Sequence, residues 1–283
     1  MQIVIASGKG GTGKTTVASN LAFVLSQKQS ITLCDCDVEE PNQEIFFPCD
    51  FKVQRVHVEV PLILEEQCVH CGSCGEFCRF GALTVLKDRV LFFPQLCHSC
   101  DGCFRVCPTD ALKKQQIDVG ELLLCNPSDT LSLIIGRLKE GDTRTTAVIR
   151  AVRDMIHTVP LVILDSPPGT ACPFIETVDA VDLCVLVTES TPFGLHDLSV
   201  AVDVLSLLCI RSVVVINRSD GNDKIIEEYC SKHQLPILMR IPFDFKLLCA
   251  QNKGLLISQE DSDWFERFSL LGDQILTYST GAL

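Results

Sequence analysis

The sequence predicts a doubly wound α/β fold with a mostly parallel sheet, into which a smaller α+β module is inserted. Short apolar runs rich in Val, Ile and Leu alternate with helix-like stretches on both sides of residues 61–116. Continuous rather than alternating hydrophobicity is typical of strands buried on both faces of a parallel sheet. Residues 61–116 instead combine cysteine, glycine and short polar turns, which indicates a separate unit.

Seven runs are predicted strands and five stretches are predicted helices. The strands are expected at Gln2–Ala6, Ile31–Cys34, Glu121–Cys125, Leu161–Asp165, Leu183–Thr188, Ser212–Asn217 and Ile237–Ile241. The helices are expected at Thr15–Gln27, Thr145–His157, Leu195–Leu208, Asn222–His233 and Asp263–Leu276. This alternation predicts a larger domain in two parts, residues 1–60 and 117–283. The ends of the insertion, residues 61–116, should lie close together at one edge of that domain.

The overall charge and the N-terminus limit the classes of protein to consider. The formal net charge of −12 argues against binding to nucleic acid or to an anionic membrane surface. The chain begins without a basic segment or a cleavage site, and no apolar run reaches the ~20 residues of a membrane-spanning helix. We therefore expect a cytoplasmic protein without direct membrane insertion, whose seventeen cysteines are reduced or bound to iron.

A phosphate-binding loop follows the first predicted strand. Residues Gly8-Lys9-Gly10-Gly11-Thr12-Gly13-Lys14-Thr15 match G-x-x-x-x-G-K-[ST] and open a predicted helix that continues with Thr16. Glycines let backbone N–H groups face phosphate oxygens, and the helix N-terminus adds partial positive charge. Lys14 is expected to reach the β- and γ-phosphates of ATP, and the Thr15 hydroxyl is expected to bind Mg²⁺.

Two cysteine runs in the insertion share the spacing C-x2-C-x2-C-x3-C. This is the spacing of ferredoxins that carry two [4Fe–4S] clusters, in which the fourth cysteine of each run binds the other cluster. One predicted ligand set is therefore Cys68, Cys71, Cys74 and Cys107, and the other is Cys97, Cys100, Cys103 and Cys78. Zinc is the competing metal, but four cysteines within eleven residues are too compact for ordinary zinc sites.

The phosphate loop resembles that of the MinD/ParA group of P-loop ATPases, whose deviant loop reads K-G-G-x-G-K-[ST]. This resemblance implies an ATP-bound dimer in which Lys9 acts on the nucleotide of the partner subunit. It also implies that residues 35–37 form the first switch segment, in which Asp37 orients the attacking water and contributes to Mg²⁺ binding. Residues 165–169 would form the second switch segment, with Asp165 near Mg²⁺ and Gly169 near the γ-phosphate.

Later segments are similar to the parts of that family that contact adenine. The matching residues are Asn217, Arg218, Pro242 and Asp244. With the insertion, the whole chain resembles the MinD-superfamily ATPases that contain a ferredoxin domain.

Several other features are interpreted as structural. Buried packing is expected for Cys34, Cys125, Cys184, Cys209, Cys230 and Cys249, because free cysteine behaves as a small hydrophobe. Cys36, between the switch aspartates, and Cys172 remain open as redox groups. The C-terminal segment with Trp264 and Phe268 should pack on the sheet, because its single basic residue is too few for a membrane-surface helix.

The two motifs together predict an ATPase in which a nucleotide-driven dimer switch gates electron transfer through two [4Fe–4S] clusters. The expected partners are a second copy or a paralogue, and a redox or acceptor protein. An ATPase that delivers metal or clusters is the second interpretation. A third is a MinD/ParA-like assembly or positioning switch in which the clusters act as a redox sensor.

Overall fold

A computed structural model describes residues 1–157 and 159–279 of the chain. Its strands are β1 (Gln2–Ala6), β2 (Ile31–Asp35), β3 (Lys52–Ile63), β4 (Leu83–Val85), β5 (Val90–Phe92), β6 (Leu112–Ser128), β7 (Leu131–Leu138), β8 (Leu161–Asp165), β9 (Leu183–Glu189), β10 (Ser212–Ser219) and β11 (Ile237–Pro242). Its helices are α1 (Lys14–Ser26), α2 (Gln43–Phe46), α3 (Ser73–Phe77), α4 (Gly102–Val106), α5 (Thr145–Asp154), α6 (Cys172–Val178), α7 (Pro192–Leu207), α8 (Lys224–Lys232), α9 (Phe245–Asn252), α10 (Ile257–Glu260) and α11 (Ser262–Ser279).

Nine of the strands form one sheet, in the order β11-β10-β9-β1-β8-β2-β7-β6-β3. Every pair from β11 to β7 is parallel, whereas β6 pairs antiparallel with both β7 and β3. The sheet is therefore mostly parallel, as expected for this fold class. The carboxyl ends of its parallel strands lie along one edge, which is where ligands bind in open α/β sheets.

Alternate side chains of the central strands enter two separate apolar layers. Ile3 and Ile5 of β1 pack in one layer with Leu21 of α1 and Phe268 of α11. Val4, between them, packs in the other layer, which contains residues of α5, α6 and α7. Because both faces are covered, these strands are apolar at most positions, and this is the pattern from which the sequence predicted them.

The antiparallel edge of the sheet was largely missed by sequence reasoning. The predicted strand at residues 121–125 is the middle of the much longer β6, and no strand was predicted at β3 or β7. β3 and β6 pair from Lys52↔Leu124 to Ile63↔Leu112, and beyond Gly120, where the pairing of β6 with β7 ends, they continue as a two-stranded ribbon. Residues 64–111 lie beyond the end of this ribbon and contain α3, α4 and the β4–β5 hairpin.

The C-terminal helix packs as predicted. Trp264, Phe268 and Leu271 are at most 3% exposed and lie in the same layer as α1. Among residues 1–157 and 159–279, no helix is both long and apolar enough to cross a membrane.

Three cysteine predictions were wrong. Cys125 forms a disulfide with Cys49, with 6.5 Å between their Cα atoms, so neither is a reduced or iron-bound thiol. Cys209, in the turn after α7, is exposed, and Cys249, in α9, is half-buried. Cys34, Cys184 and Cys230 are buried as expected, and their thiol pKa values are raised by burial.

Candidate functional site

The loop between β1 and α1 has the backbone shape of a phosphate cradle. Gly11 and Gly13 have φ angles of +76° and +94°, which side chains other than glycine rarely adopt. A Cβ on Gly13 would also lie 2.3 Å from Asn217 Nδ2. That amide donates a hydrogen bond to the Thr12 carbonyl at 2.7 Å. The end of β10 therefore fixes the loop, although Asn217 is 205 residues away in sequence from Thr12.

A buried carboxylate lies next to this cradle at the end of β8. Asp165 is 1% exposed, and its Oδ2 accepts a hydrogen bond from Gln43 Nε2 at 3.0 Å. Its Oδ1 is buried and has no hydrogen-bond partner among the described residues. Burial raises the pKa of Asp165 to about 6, while the Thr15 hydroxyl and the Lys14 charge act in the opposite direction.

This arrangement suits a hard divalent cation. An unpartnered, buried carboxylate oxygen next to a hydroxyl is a costly arrangement unless a cation or a donor occupies it. Mg²⁺ prefers oxygen ligands from one or two carboxylates, together with phosphate and water. The donors Thr15 and Asp165 therefore fit the ion that the sequence predicts.

The segment after β2 is organised by Asp35. Its Oδ1 accepts from the backbone N–H of Asp37 at 3.1 Å, and its Oδ2 accepts from those of Asn42 and Gln43 at 3.0 and 3.1 Å. Burial, and then the charge of Asp165, raise the Asp35 pKa well above its usual range. Asp35 thus shapes the loop, and Asp37 is the half-buried carboxyl that this loop presents.

Asp37 lines the cleft of about 330 Å³ described below, whereas Asp35 does not. Its pKa is raised to about 6, first by burial and then by the charge of Asp165, and the Lys14 ammonium opposes this shift.

Gln43 is a site residue that sequence reasoning missed. It is fully buried, donates from Nε2 to Asp165 and accepts at Oε1 from the Ser19 hydroxyl at 2.8 Å. It therefore joins the segment after β2, the helix after the phosphate loop and the carboxylate of β8. No motif marks it in the sequence.

Most of the predicted nucleotide ligands line a single cleft of about 330 Å³. They are Gly10, Gly11, Gly13, Lys14, Thr15, Thr16, Asp37, Asn217, Arg218, Pro242 and Asp244. The apolar side chains of Phe243, Leu247 and Leu248 also line this cleft and were not predicted. Elements spread over most of the chain therefore converge at the carboxyl edge of the sheet, as expected for ligand binding to an open α/β sheet.

The other predicted residues lie beside the cleft rather than in its lining. Gly8 and Thr12, with Lys9, face the segment from β9 to α7, and a Cβ on Gly8 would lie 2.3 Å from the Asp197 carbonyl oxygen. Gly169 has a φ angle of +87°, and its N–H donates to the Ser7 carbonyl at 3.2 Å.

Lys9 forms an ion pair within its own chain. Its Nζ lies 3.4 Å from Oε2 of Glu189, at the end of β9, and Arg218 contacts Oε1 of the same carboxylate. Glu189 was not predicted, although its position at the carboxyl end of a central strand was a usable signal.

The eight cysteines of the two runs surround two cavities. The first cysteine cavity is lined by Cys68, Cys71, Cys74 and Cys107. The second cysteine cavity, of about 730 Å³, is lined by Cys78, Cys97, Cys100 and Cys103. Each cavity thus collects three cysteines of one run and the fourth of the other.

The thiols of these cavities are unpaired in the described structure, and several are half-buried. Burial, and then the charge of Cys97, raise the pKa of Cys103 to about 11. Soft thiolate donors in sets of four suit iron–sulfur clusters, and binding would release the protons that burial favours. Ligand atoms of Glu65, Cys68 and His70 also lie within 4.8 Å of one another, which the sequence did not indicate.

The chain belongs to the family of CobQ/CobB/MinD/ParA nucleotide-binding domains, whose sequence pattern matches residues 3–257. It is 30% identical to the uncharacterized protein MJ0579 of Methanocaldococcus jannaschii over 258 residues, which is 90% of each chain. The chain is therefore a nucleotide-binding ATPase of the MinD/ParA type.

Comparison with solved structures supports the same fold. The cell division ATPase MinD of Pyrococcus furiosus superposes with a TM-score of 0.61 over 98% of each chain, at 18% sequence identity.

Two further relatives have names that refer to iron–sulfur chemistry. An iron–sulfur cluster carrier protein of Aquifex aeolicus is 25% identical over 290 residues, which cover 94% of this chain and 64% of that protein. The polyferredoxin protein MvhB of Methanothermus fervidus is 36% identical over 59 residues, which are 20% of this chain and 13% of that protein.

Proposed function

We propose that this protein hydrolyses ATP and uses a nucleotide-driven dimer switch to control electron transfer through two [4Fe–4S] clusters. The observation that carries this proposal is the grouping of eight cysteines into two cavities on a module attached to a nucleotide-binding domain. The short match to a polyferredoxin supports it. Residues 61–116 would then form a ferredoxin-like domain inserted into an ATPase domain built from residues 1–60 and 117–283.

The first cysteine cavity would hold one cluster and the second cysteine cavity the other. Each bound cluster would supply a centre that accepts or donates one electron. Cys71 lines the first cysteine cavity and Cys100 the second, and both are exposed. A redox partner could therefore come close to both clusters. The remaining, half-buried thiols limit access of water.

The residues of the cleft have separate roles in hydrolysis. Lys14 and the loop N–H groups would bind the phosphates, while Thr15 and Asp165 would hold Mg²⁺, helped by Asp37. Asp37 would orient a water molecule whose oxygen attacks the γ-phosphorus. The bond from that phosphorus to the β,γ-bridging oxygen breaks, ADP and phosphate leave, and one proton is released. A carboxyl with a pKa of about 6 is ionised near pH 7, so it accepts a hydrogen bond from water.

The dimer switch would depend on Lys9. Its ion pair with Glu189 is 3.4 Å long and partly exposed, and such pairs contribute only about 0–1 kcal/mol. Releasing Lys9 toward the nucleotide of a partner subunit therefore costs little. The partner would be a second copy or a paralogue.

Delivery of iron–sulfur clusters is the second candidate function. The match to the cluster carrier protein over nearly the whole chain favours it. Complete ligation by four cysteines in each cavity opposes it, because resident clusters are then held firmly.

The deciding experiment uses protein purified without oxygen and analysed for iron and sulfide. We expect two [4Fe–4S] equivalents, and an ATPase rate that differs between oxidised and dithionite-reduced protein while the reduced-state EPR signal responds to MgATP. Equal rates and an unchanged signal would refute electron gating. Transfer of iron to an apo-acceptor during hydrolysis would instead favour delivery.

A further inference from the structure

The loop before α5 contacts the cysteine-bearing module. Thr143 Oγ1 donates to the Gln95 carbonyl at 3.3 Å, and Arg144 Nη1 donates to the Pro94 carbonyl at 3.4 Å. These carbonyls lie two and three residues before Cys97, a residue of the second cysteine cavity. The N-terminal end of α5 is thus attached to the backbone that leads into this cavity.

Arg144 is held firmly in this place. Its guanidinium forms a two-point ion pair with Asp142, in which Nε lies 2.8 Å from Oδ1, and the two side chains are only 10% and 8% exposed. The Asp142 pKa is lowered by Arg144, against the effect of burial.

Two arginines within α5 form hydrogen bonds to the helix α6. Arg150 donates from Nε and Nη2 to the two carboxylate oxygens of Glu176 at 2.9 and 2.7 Å. Arg153 donates from Nη1 to the Thr177 carbonyl at 2.6 Å and from Nη2 to the carbonyl of Asp179. Arg153 therefore caps the C-terminal end of α6, where the free carbonyls of a helix favour positive charge.

The helix α6 directly follows the second switch segment, residues 165–169. Cys172 begins α6 only three residues after Gly169, whose N–H is bonded to Ser7 at the start of the phosphate loop. A displacement of residues 165–169 on nucleotide binding would therefore be transmitted to α6.

The first switch segment, residues 35–37, is connected to α5 through the next residue, Val38. A Cβ on Gly136 of β7 would lie 2.7 Å from Val38 Cγ1 and 2.8 Å from Val152 Cγ2, so these side chains meet over a glycine. The Leu138 N–H also donates to the Val38 carbonyl at 2.7 Å. The first switch segment is thus linked to α5 through Val38, and the second is linked to it through α6.

We propose that α5 couples the nucleotide site to the second cysteine cavity, with Arg144 positioning the residues that hold the cluster there. This inference rests on the proposed function for the identity of the bound group. A movement of α6 displaces α5 through the hydrogen bonds of Arg150 and Arg153. Arg144, at the start of α5, transmits this displacement to the backbone before Cys97. The first cysteine cavity has no corresponding contact from α5 among the described residues.

The charge of Arg144 has a definite effect on reduction. A reduced cluster carries one more negative charge than an oxidised one, so a nearby buried cation favours reduction. Replacing Arg144 by glutamine should lower the midpoint potential of one cluster and leave the other unchanged.

The first test compares Arg144→Gln with Arg144→Lys and Arg89→Gln by EPR-monitored redox titration. Arg89 is exposed on the same module, so its variant loses the same charge elsewhere. We expect one potential to fall in Arg144→Gln, partial recovery in Arg144→Lys and little change in Arg89→Gln. Equal shifts of both clusters, or a shift in Arg89→Gln of the same size, would overturn the role of Arg144.

The second test measures hydrogen exchange with and without MgADP, and it requires no bound iron. In the wild-type protein, the nucleotide should slow exchange several-fold in peptides covering residues 94–104. The double variant Arg150→Gln/Arg153→Gln should bind MgADP and lose this distant response, while exchange near the phosphate loop still slows. A retained response in the variant, or none in the wild type, would refute coupling through α5.

The single variant Arg150→Gln is the control for a folding defect in the double variant. Its side chain is 64% exposed, so it should fold normally and show a reduced distant response. Absence of iron in the purified protein would refute the proposed function. The exchange experiment would still decide whether α5 links the nucleotide site to the second cysteine cavity.

Discussion

At the scale of single residues, Asp165 determines how the nucleotide site responds to pH. Its folded-state pKa of about 6 lies above the value of about 3.9 expected in the unfolded chain. The folded protein therefore binds a proton more tightly than the unfolded protein does. The resulting stabilisation is fully present below pH ~4 and is lost as the pH rises through ~6. Asp37 has a pKa shifted in the same direction and adds to this effect.

The variant Asp165→Asn should be more stable than the wild type without nucleotide but should lose the stabilisation by MgADP. Without nucleotide, its melting temperature should exceed that of the wild type at pH 7.5, and the difference should shrink at pH 4.5, because the asparagine carries no charge to bury. Added MgADP should stabilise the wild type and hardly affect the variant. Thermal unfolding at both pH values provides the measurement, with the exposed Asp88→Asn as control. Full MgADP stabilisation of Asp165→Asn would contradict the assigned role.

Lys9 and Lys14 lie in the same loop, but their replacement by alanine should have different effects on nucleotide binding and dimerisation. Lys14→Ala should lose nucleotide binding, because this side chain lines the cleft. Lys9→Ala should still bind ATP but fail to dimerise, and its turnover should fall by about 10³-fold, the size of effect seen for a cation supplied by a partner subunit. Sedimentation and phosphate release would report these properties, and Lys28→Ala, at an exposed ion pair with Asp273, provides the control. A dimer of Lys9→Ala with normal turnover would show that Lys9 acts only within its own chain.

Motifs allowed the sequence to predict some site residues but not those that position them. The phosphate loop was identifiable because its chemistry restricts both residue type and spacing. Asp37 and Asp165 were proposed from the resemblance to the MinD/ParA group. Gln43 was not, because a buried amide that bonds to Asp165 can come from any nearby loop. Glu189 lay at the end of a correctly predicted strand, and only its pairing with Lys9 needed the structure.

At the scale of elements, the disulfide ties the segment after α2 to the base of the ribbon. Cys49 follows the helix that starts with Gln43, and Cys125 lies in β6, 76 residues further along the chain. Sequence alone could not pair them, because seventeen cysteines allow many connectivities. The bond restricts an unfolded chain whose closed loop contains all of β3 and both cysteine runs.

Removing this bond should lower stability without affecting the cysteine cavities. A closed loop of this length corresponds to about 4 kcal/mol in the chain-entropy description, so Cys49→Ser/Cys125→Ser should unfold at lower denaturant concentration. Iron content should stay unchanged. The control is Cys209→Ser, which removes an exposed, unpaired thiol. Denaturation equal to that of the control would show that the disulfide does not form in the purified protein.

The ribbon shows why some strands could not be predicted. β3 carries Arg55 and His57, and much of it is exposed, because it is the edge strand of the sheet and continues beyond the sheet as part of a two-stranded ribbon. Its sequence therefore has neither the continuous apolar run of a buried strand nor a clean alternation. β7 is different: its run Leu131–Leu138 is mostly apolar and buried, so the signal was present in the sequence and was overlooked.

At the scale of the whole molecule, the sheet assembles a nucleotide cleft from distant segments, and the ribbon carries a second unit away from it. The cleft could be predicted because parallel strands of this fold place their carboxyl ends together. The direct attachment of the module at Thr143 and Arg144 could not, because it depends on how residues 94–95 dock on the loop before α5.

The same geometry predicts that the module can be removed. The ribbon ends with the pair Ile63↔Leu112, and the Leu64 N–H donates to the Ala111 carbonyl at 2.8 Å. Replacing residues 65–110 by Asn-Gly, a favoured two-residue hairpin turn, should therefore close β3 and β6 into an ordinary hairpin. The deletion also breaks the two long hydrogen bonds that Thr143 and Arg144 donate to the module. Each of these bonds is worth only about 1 kcal/mol, so the remaining chain should fold.

The shortened protein should bind nucleotide, contain no iron and hydrolyse ATP at a rate that dithionite does not alter. Trp264 is the only tryptophan of the chain, and its Nε1 donates to Asp244 Oδ2 at 3.0 Å. Because Asp244 lines the nucleotide cleft, fluorescence of Trp264 should report ATP binding in both proteins. Equal affinities would establish that nucleotide binding does not need residues 65–110, and a hydrolysis rate that dithionite does not alter would establish that redox sensitivity enters through the module. A protein that folds but no longer binds ATP would instead show that residues 65–110 support the nucleotide cleft, since the cleft itself has been left intact in sequence.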